Sequence, residues 1–336
     1  MHMADALLSP SVGLTMSAVT AFTLAYAVKK TAADSTFNDK KIPMMGIMGA
    51  FIFAAQMVNF TIPGTGSSGH IGGGILLAAV LGPWPALLTI TAVLAIQALF
   101  FADGGLLALG CNIFNMGVCA CLLGYIGVFR TIASRGLSAK RITAASVIAA
   151  VIGLQAGAFA VVLETLASGV TALPFTAFLL MMQPIHLAIG LTEGLITAAV
   201  LCCIYNARPE IIESALGKNS LSGTVSLKGT LASLALLTAV TASLFSLFAS
   251  ASPDGLEWAI ERTAGTSELI RQGGIYDTLS TFVDKTAFMP DYSFPVPGTT
   301  PFSSTSAAGL AGSLMTLAFA GGAAALIGLF KRKKSM

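Results

Sequence analysis

Charge is what this sequence has least of. Asp, Glu, Lys and Arg make up 10% of the 336 residues, against about 25% in an ordinary soluble domain, and the mean hydropathy is +0.84. A surface this poor in charge excludes a fully water-soluble fold. Histidine is scarce too, with only His2, His70 and His186. There is no Gly-x-x-x-x-Gly-Lys-Ser/Thr loop, so the chain does not hold ATP in that way. No His-Glu-x-x-His, Ser/His pairing signature or aspartate pair lies in the apolar runs, which argues against a membrane-embedded enzyme. Inverted repeats and paired intramembrane acids, the marks of an autonomous channel or secondary transporter, are missing as well. Glu164 and Glu193 are the only acids inside the runs. The first positive charges, Lys29 and Lys30, follow the first apolar run instead of preceding it. No cleavable leader is therefore expected, and the N-terminus is expected to stay intact.

What is present is length and continuity of apolar sequence. Residues 142–167 and 174–205 carry at most two ionisable side chains each, enough as helices to cross roughly 30 Å of hydrocarbon. Continuous runs without dyad alternation exclude a β-barrel. Spans are expected at 10–29, 42–60, 72–82, 84–102, 105–129, 142–167, 174–205, 228–250 and 305–330, about eight in all. The third is short and precedes Pro83-Trp84-Pro85, so it reads as a half-helix or a re-entrant segment. The five cysteines (Cys111, Cys119, Cys121, Cys202, Cys203) lie in helical runs at spacings that point them apart. They are expected to pack as small polarisable residues, without disulfides.

The basic residues set the topology. Lys29, Lys30, Lys40 and Lys41 flank the first loop; Arg130, Arg135, Lys140 and Arg141 the loop before residue 142. Arg208, Lys218 and Lys228 follow residue 205, and Lys331, Arg332, Lys333 and Lys334 close the chain. Only Arg262, Arg271 and Lys285 lie in the segment 251–304, among seven acids. The positive-inside rule then expects the four basic groups and the C-terminus in the cytoplasm, with the 251–304 loop and the N-terminus outside. His2 and His70 fall on that same outer side. Residues 1–206 form one expected domain, 207–227 a cytoplasmic linker and 228–336 a two-span hairpin, with 290–306 extended and poorly packed.

His2 carries the chemistry. A residue this large after the initiator is expected to keep Met1 in place. The Met1 amine, the His2 backbone nitrogen and His2 Nδ1 can then close fused five- and six-membered rings on one ion. Deprotonating the amide favours Ni²⁺ and Cu²⁺, and Co²⁺ less. His70 is the natural fourth nitrogen of a square-planar set, a geometry Zn²⁺ disfavours. The glycines after His70 either allow close backbone approach or simply start a helix. His186 is either a hydrogen-bonded packing residue or part of a stripe with Gly190 and Glu193. Gly13, Ser17, Ala21 and Ala25 form a small-residue ladder suited to helix docking in lipid, with a partner or within this chain.

Four stretches carry a resemblance: Met1-His2-Met3-Ala4-Asp5-Ala6-Leu7-Leu8; Gly64-Thr65-Gly66-Ser67-Ser68-Gly69-His70-Ile71-Gly72-Gly73-Gly74, leading to Leu81-Gly82-Pro83-Trp84; Gln97-Ala98-Leu99-Phe100-Phe101-Ala102-Asp103-Gly104-Gly105-Leu106 with Gly110-Cys111-Asn112; and Pro253-Asp254-Gly255-Leu256-Glu257. Over nearly its whole length the sequence resembles the substrate-specificity component of the nickel/cobalt branch of energy-coupling-factor (ECF) transporters, fused C-terminally to the small accessory component that bears the Pro-Asp-Gly-Leu-Glu signature. The resemblance implies an all-α integral membrane bundle of 6–7 helices followed by the accessory hairpin. It implies a metal held by Met1, His2 and His70; around them Ser68, Gly69, Gln97, Asp103, Asn112 and His186 are expected as outer partners. It implies no prosthetic group, with Ni²⁺ or Co²⁺ as cargo. Partners would be a transmembrane coupling component and two cytoplasmic ATPases, with no nucleic acid. The Ser-Gly-His-Ile-Gly-Gly-Gly form and the planar donor set both lean to nickel. The hairpin offers no expected ligand, so its deletion is expected to spare metal binding.

Overall fold

The computed structural model describes residues 1–218, 221, 227–266, 269–294 and 301–335. Parts of the expected linker (219, 220 and 222–226) and of the expected extended stretch (295–300) lie outside the described residues. Among the described residues, seven helices are long and apolar enough to cross a membrane: α1 Pro10–Ala33, α4 Pro83–Phe100, α5 Leu109–Ala133, α6 Ala139–Ser168 and α7 Phe175–Ala207, then the segments Lys228–Phe248 and Ser304–Arg332. The last two contain α9 Lys228–Ser243 and α12 Pro301–Ser335. Between them come the shorter α2 Lys41–Gln56, α3 Gly74–Leu81 and α8 Pro209–Ala215, and the loop helices α10 Gly255–Ala264 and α11 Ile275–Thr286. Two three-residue strands, β1 Phe60–Ile62 and β2 Ser67–Gly69, pair antiparallel. Local chemistry explains several ends. Ser9 and Ser138 cap α1 and α6 with their hydroxyls, and Pro10 follows as the first helical residue.

The bundle is held by glycine. Gly190 and Gly194 on α7 lie against the backbone of Val151 and Val147 on α6, and Gly157 on α6 lies against Asn115 on α5. Without a hydrophobic drive between helices in lipid, such close approach supplies the packing. The C-terminal hairpin joins the same bundle. Gly46 on α2 faces Leu317 O and Gly321 on α12, and Phe53 fills the space beside Gly312. The ladder on α1 divides. Gly13 and Ser17 pack inside the chain, against Leu107 and Gly110, while Ala21 and Ala25 are exposed.

The third apolar segment crosses the bundle in two pieces. Gly69 to Gly73 descends as extended chain, and the eight residues of α3, all buried, follow. Backbone at membrane depth must find partners inside the protein, and here it does. Glu193 accepts from Gly72 N and Gly73 N at 2.9 and 3.0 Å, and Gln56 Nε2 donates to Gly72 O at 2.9 Å. The far end of α3 reaches Lys41, whose Nζ donates to Leu81 O. Gly82, at φ +92°, then turns the chain into α4. Among the described residues, the seven long helices, α2 and this broken segment make nine crossings. An odd number places the two ends of the chain on opposite faces. One face gathers Met1, His70 and Asp254. On the other, Lys331 donates to Asp34 O and Phe37 O, and Arg332 pairs with Asp39.

Candidate metal centre

The N-terminal octapeptide is folded into the first of these faces and not left in solvent. Met3, Leu7 and Leu8 are fully buried. Asn112 grips the backbone of Met3 with both ends of its amide: Met3 N donates to Oδ1 at 2.8 Å, and Nδ2 donates to Met3 O at 3.2 Å. Gly105 N also donates to Met3 O, and Asp5 accepts from Ala108 N. A side chain at Gly105 would collide with Asp5, so the loop between α4 and α5 can close over the tail only with glycine there. These contacts fix where Met1 and His2 emerge.

His2 and His70 meet there. Their rings stack at 5.4 Å between centroids, 20° from parallel. Burial lowers the pKa of His2, against the pull of the Asp103 carboxylate. Burial, then the charge of the Met1 amine, pushes His70 down to about 4. Both rings are therefore neutral at neutral pH, with one N–H each.

Which nitrogen carries that proton follows from the neighbours. His70 Nδ1 lies 3.0 Å from Ile71 O, a carbonyl that can only accept, so its Nε2 is left bare. For His2 the assignment runs through three amides. Gly72 O accepts from Gln56 Nε2, which turns Gln56 Oε1 toward Gln97 Nε2 at 2.8 Å. Gln97 Oε1 is then aimed at His2 Nε2, 3.2 Å away. The tautomer with its proton on Nε2 satisfies that oxygen and carries the lone pair on Nδ1. His2 Nδ1 faces Asp103 Oδ1 at 3.4 Å, and the Tyr292 hydroxyl donates to Asp103 Oδ2. Burial and the Asp103 charge push the Tyr292 phenol well above its ordinary range, which keeps it a donor.

Three non-glycine residues with positive φ sit beside this carboxylate: Ala102 at 56°, Asp291 at 49° and Tyr292 at 57°. Left-handed backbone at non-glycine residues is strained, and it persists where surrounding contacts over-determine it. Phe101 N and Asp103 N both donate to Gln97 O, Asp291 N donates to Phe101 O, and the Tyr292 ring stacks on Phe101.

The expected neighbours divide. Gln97 and Asp103 touch His2, and Asn112 holds Met3. Ser68 instead binds the 252–253 backbone, and Gly69 packs on Ile189. His186 donates Nδ1–H to Met182 O, four residues back, while its buried Nε2 has no partner. It lines a cavity of about 30 Å³ with Met1, His70 and Glu193. That holds only a water or two, too little for a hydrated ion. Above the rings opens a cavity of about 850 Å³, lined by His2, His70, Asp103, Asp254 and Tyr292 among others. Among the described residues no three His, Cys, Asp or Glu side chains converge, so a metal here needs main-chain nitrogen.

Residues 2–211 match the family described as the cobalt uptake substrate-specific transmembrane region. The chain belongs to this family. Residues 228–329 match the PDGLE domain, so the protein is a nickel/cobalt substrate-specificity component fused to its accessory component. A putative fused nickel transport protein NikMN of Archaeoglobus fulgidus is 34% identical over 95% of this chain and 96% of its own. The fused nickel transport protein NikMN of Rhodobacter capsulatus is 32% identical over 63% of this chain and 64% of its own. A cobalt transport protein CbiM of Geobacter sulfurreducens is 29% identical over 80% of this chain and 76% of its own. A crystal structure of a truncated transition metal transporter, 34% identical, covers 62% of this chain and 99% of that one with a TM-score of 0.54.

In this fused specificity component the accessory unit reaches the same face: Asp254 Oδ2 lies 2.6 Å from the Met1 amine. Burial pushes the Asp254 carboxyl up, but the charge and hydrogen bond of the amine outweigh burial and hold it below the usual carboxylate range. The signal in the sequence was the acid of the Pro253-to-Glu257 signature. Sequence alone gave no way to place it 253 residues away, against the chain start. Gln56, Tyr292 and Asp5 were likewise missed as parts of the site, because each reaches it only through tertiary contacts.

Proposed function

We propose that this membrane component of the nickel/cobalt uptake family captures Ni²⁺ for an ATP-driven importer. With Met1 as the terminal residue, its amine, the His2 amide nitrogen and His2 Nδ1 close two fused rings on the ion, and His70 Nε2 completes a planar set. The observation that carries this reading is the amide relay through Gln56 and Gln97. It leaves a lone pair on His2 Nδ1, the ring nitrogen that can close a six-membered ring with its own amide. A planar four-nitrogen set suits Ni(II). The second reading is Co²⁺ as cargo, favoured by relatives named as cobalt transport proteins. With no nucleotide loop in the chain, energy comes from a transmembrane coupling component and two cytoplasmic ATPases. The face with His2 and His70 is outward and the basic face cytoplasmic.

Extending the N-terminus by one residue moves the amine out of chelate reach and is expected to abolish Ni²⁺ binding by the purified chain. Tight binding by that variant would sink the site. His70→Ala is expected to lose more than the roughly 10–100-fold that removal of an outer partner costs; unchanged affinity would take His70 out of the donor set. The absorption spectrum of the metal-loaded, untagged protein separates planar Ni(II) from six-coordinate Co(II).

A further inference from the structure

The accessory signature is docked on the specificity component by a run of directed contacts. Ser68 N donates to Pro253 O at 2.8 Å and Ser68 Oγ to Ser252 O at 2.7 Å, and Trp258 Nε1 donates to Thr65 O at 3.0 Å. Leu256, Ala259 and Ile260 on α10 are buried, with α10 packed on α7. At Gly255 a Cβ would come 2.8 Å from Ile189 and 3.3 Å from His186 Nε2, so glycine lets the turn sink this far. The Asp254 carboxylate is thereby divided between two tasks. Oδ1 accepts from Leu256 N and Glu257 N, both at 2.8 Å, which caps α10 and locks the side chain. Oδ2 is left to point at the Met1 amine.

We propose that Asp254 is the positioning residue for the terminal amine, so that the accessory unit completes the metal centre. The proposal rests on the Met1–His2–His70 reading above. An amine bound to a metal keeps two N–H bonds, and one can still be donated to Oδ2. That bond fixes the Met1 torsion needed to close the five-membered ring, as a carboxylate behind a metal-bound histidine fixes the ring. It also sets a negative charge beside an arriving cation. Fusion of the two components then has a structural reason: the acid that orients the amine is always present beside it.

The test uses the full-length chain with its native start. Asn caps a helix as well as Asp, so Asp254→Asn keeps α10 capped while replacing the charged acceptor that faces the amine by an uncharged N–H group. Glu257→Ala is the control, breaking the capping box without touching the amine. Asp254→Asn is expected to weaken Ni²⁺ binding about 10–100-fold and to shift the visible band of the planar complex. Glu257→Ala is expected to lower Tm while leaving affinity and spectrum unchanged. Should Asp254→Asn not be recovered folded, Asp254→Ser caps equally well and poses the same question. Wild-type affinity and spectrum in the charge-removed variant would overturn the proposal. So would tighter binding, which would make the carboxylate a competitor for the amine. Unchanged affinity in His70→Ala would instead overturn the underlying site, whatever Asp254 does.

Discussion

An imidazole offers two nitrogens, and His2 can use only Nδ1 to close a ring with its own amide. From below, the run Gly72, Gln56 and Gln97 offers Nε2–H an acceptor, which favours a bare Nδ1. Each amide in the relay has its orientation fixed by the one before it, so a fault anywhere frees the ring. Gln97→Leu removes the acceptor for His2 Nε2–H while keeping side-chain volume close. It is expected to lower Ni²⁺ affinity about 10–100-fold and to leave the fold intact, as read by titration and by Tm. Affinity equal to the parent would show that the tautomer is not set by Gln97. Met1, His2 and His70 stood out in the sequence as candidate chelators because metal chemistry constrains residue type and spacing locally. Gln56 was not, because nothing in its helix distinguishes it from a packing residue until Gly72 is placed beside it.

At the scale of elements, glycine decides who may touch whom. The segment 72–82 is too short for a whole span, and the sequence left it between half-helix and re-entrant turn. The structure makes it extended chain followed by α3, with Glu193 and Gln56 satisfying the unpaired backbone. This explains an acid in the middle of α7 that periodicity alone could not interpret. The accessory hairpin is closed by the same device. At Gly309 on α12 an added Cβ would lie 2.6 Å from Ala242 O on α9. Gly309→Val is expected to destabilise by about 1–3 kcal/mol through overpacking, seen as a lower Tm in detergent. An unchanged Tm would mean that these helices are free to separate. The small-residue ladder on α1 shows the opposite limit: its periodicity was plain, yet only the packing could divide it into Gly13 and Ser17 inside and Ala21 and Ala25 outside.

For the whole molecule, the proposed topology puts the face with Met1, His2 and His70 outside and the basic face in the cytoplasm. A cysteine introduced at Gly273, in the loop before α11, is expected to react with an impermeant reagent added outside intact cells. One introduced at Ser134, in the loop after α5, is expected to react only after permeabilisation. These labels are read in a background lacking Cys202 and Cys203, which are not fully buried. Reversed labelling would invert the topology. The small cavity below the rings, about 30 Å³, holds a water or two.

The sequence by itself determined the membrane class, the grouping of the basic loops and the three residues that suit a planar metal site. Those properties follow from composition and from neighbours along the chain, where the physics is local. Only the tertiary structure decided which groups face the histidine nitrogens, how a broken segment crosses the bundle, and that Asp254 meets the amine of Met1. Each of these depends on groups far apart in sequence being held within a few ångströms. Burial then sets their charge states and directed hydrogen bonds their orientation, and no periodicity encodes either.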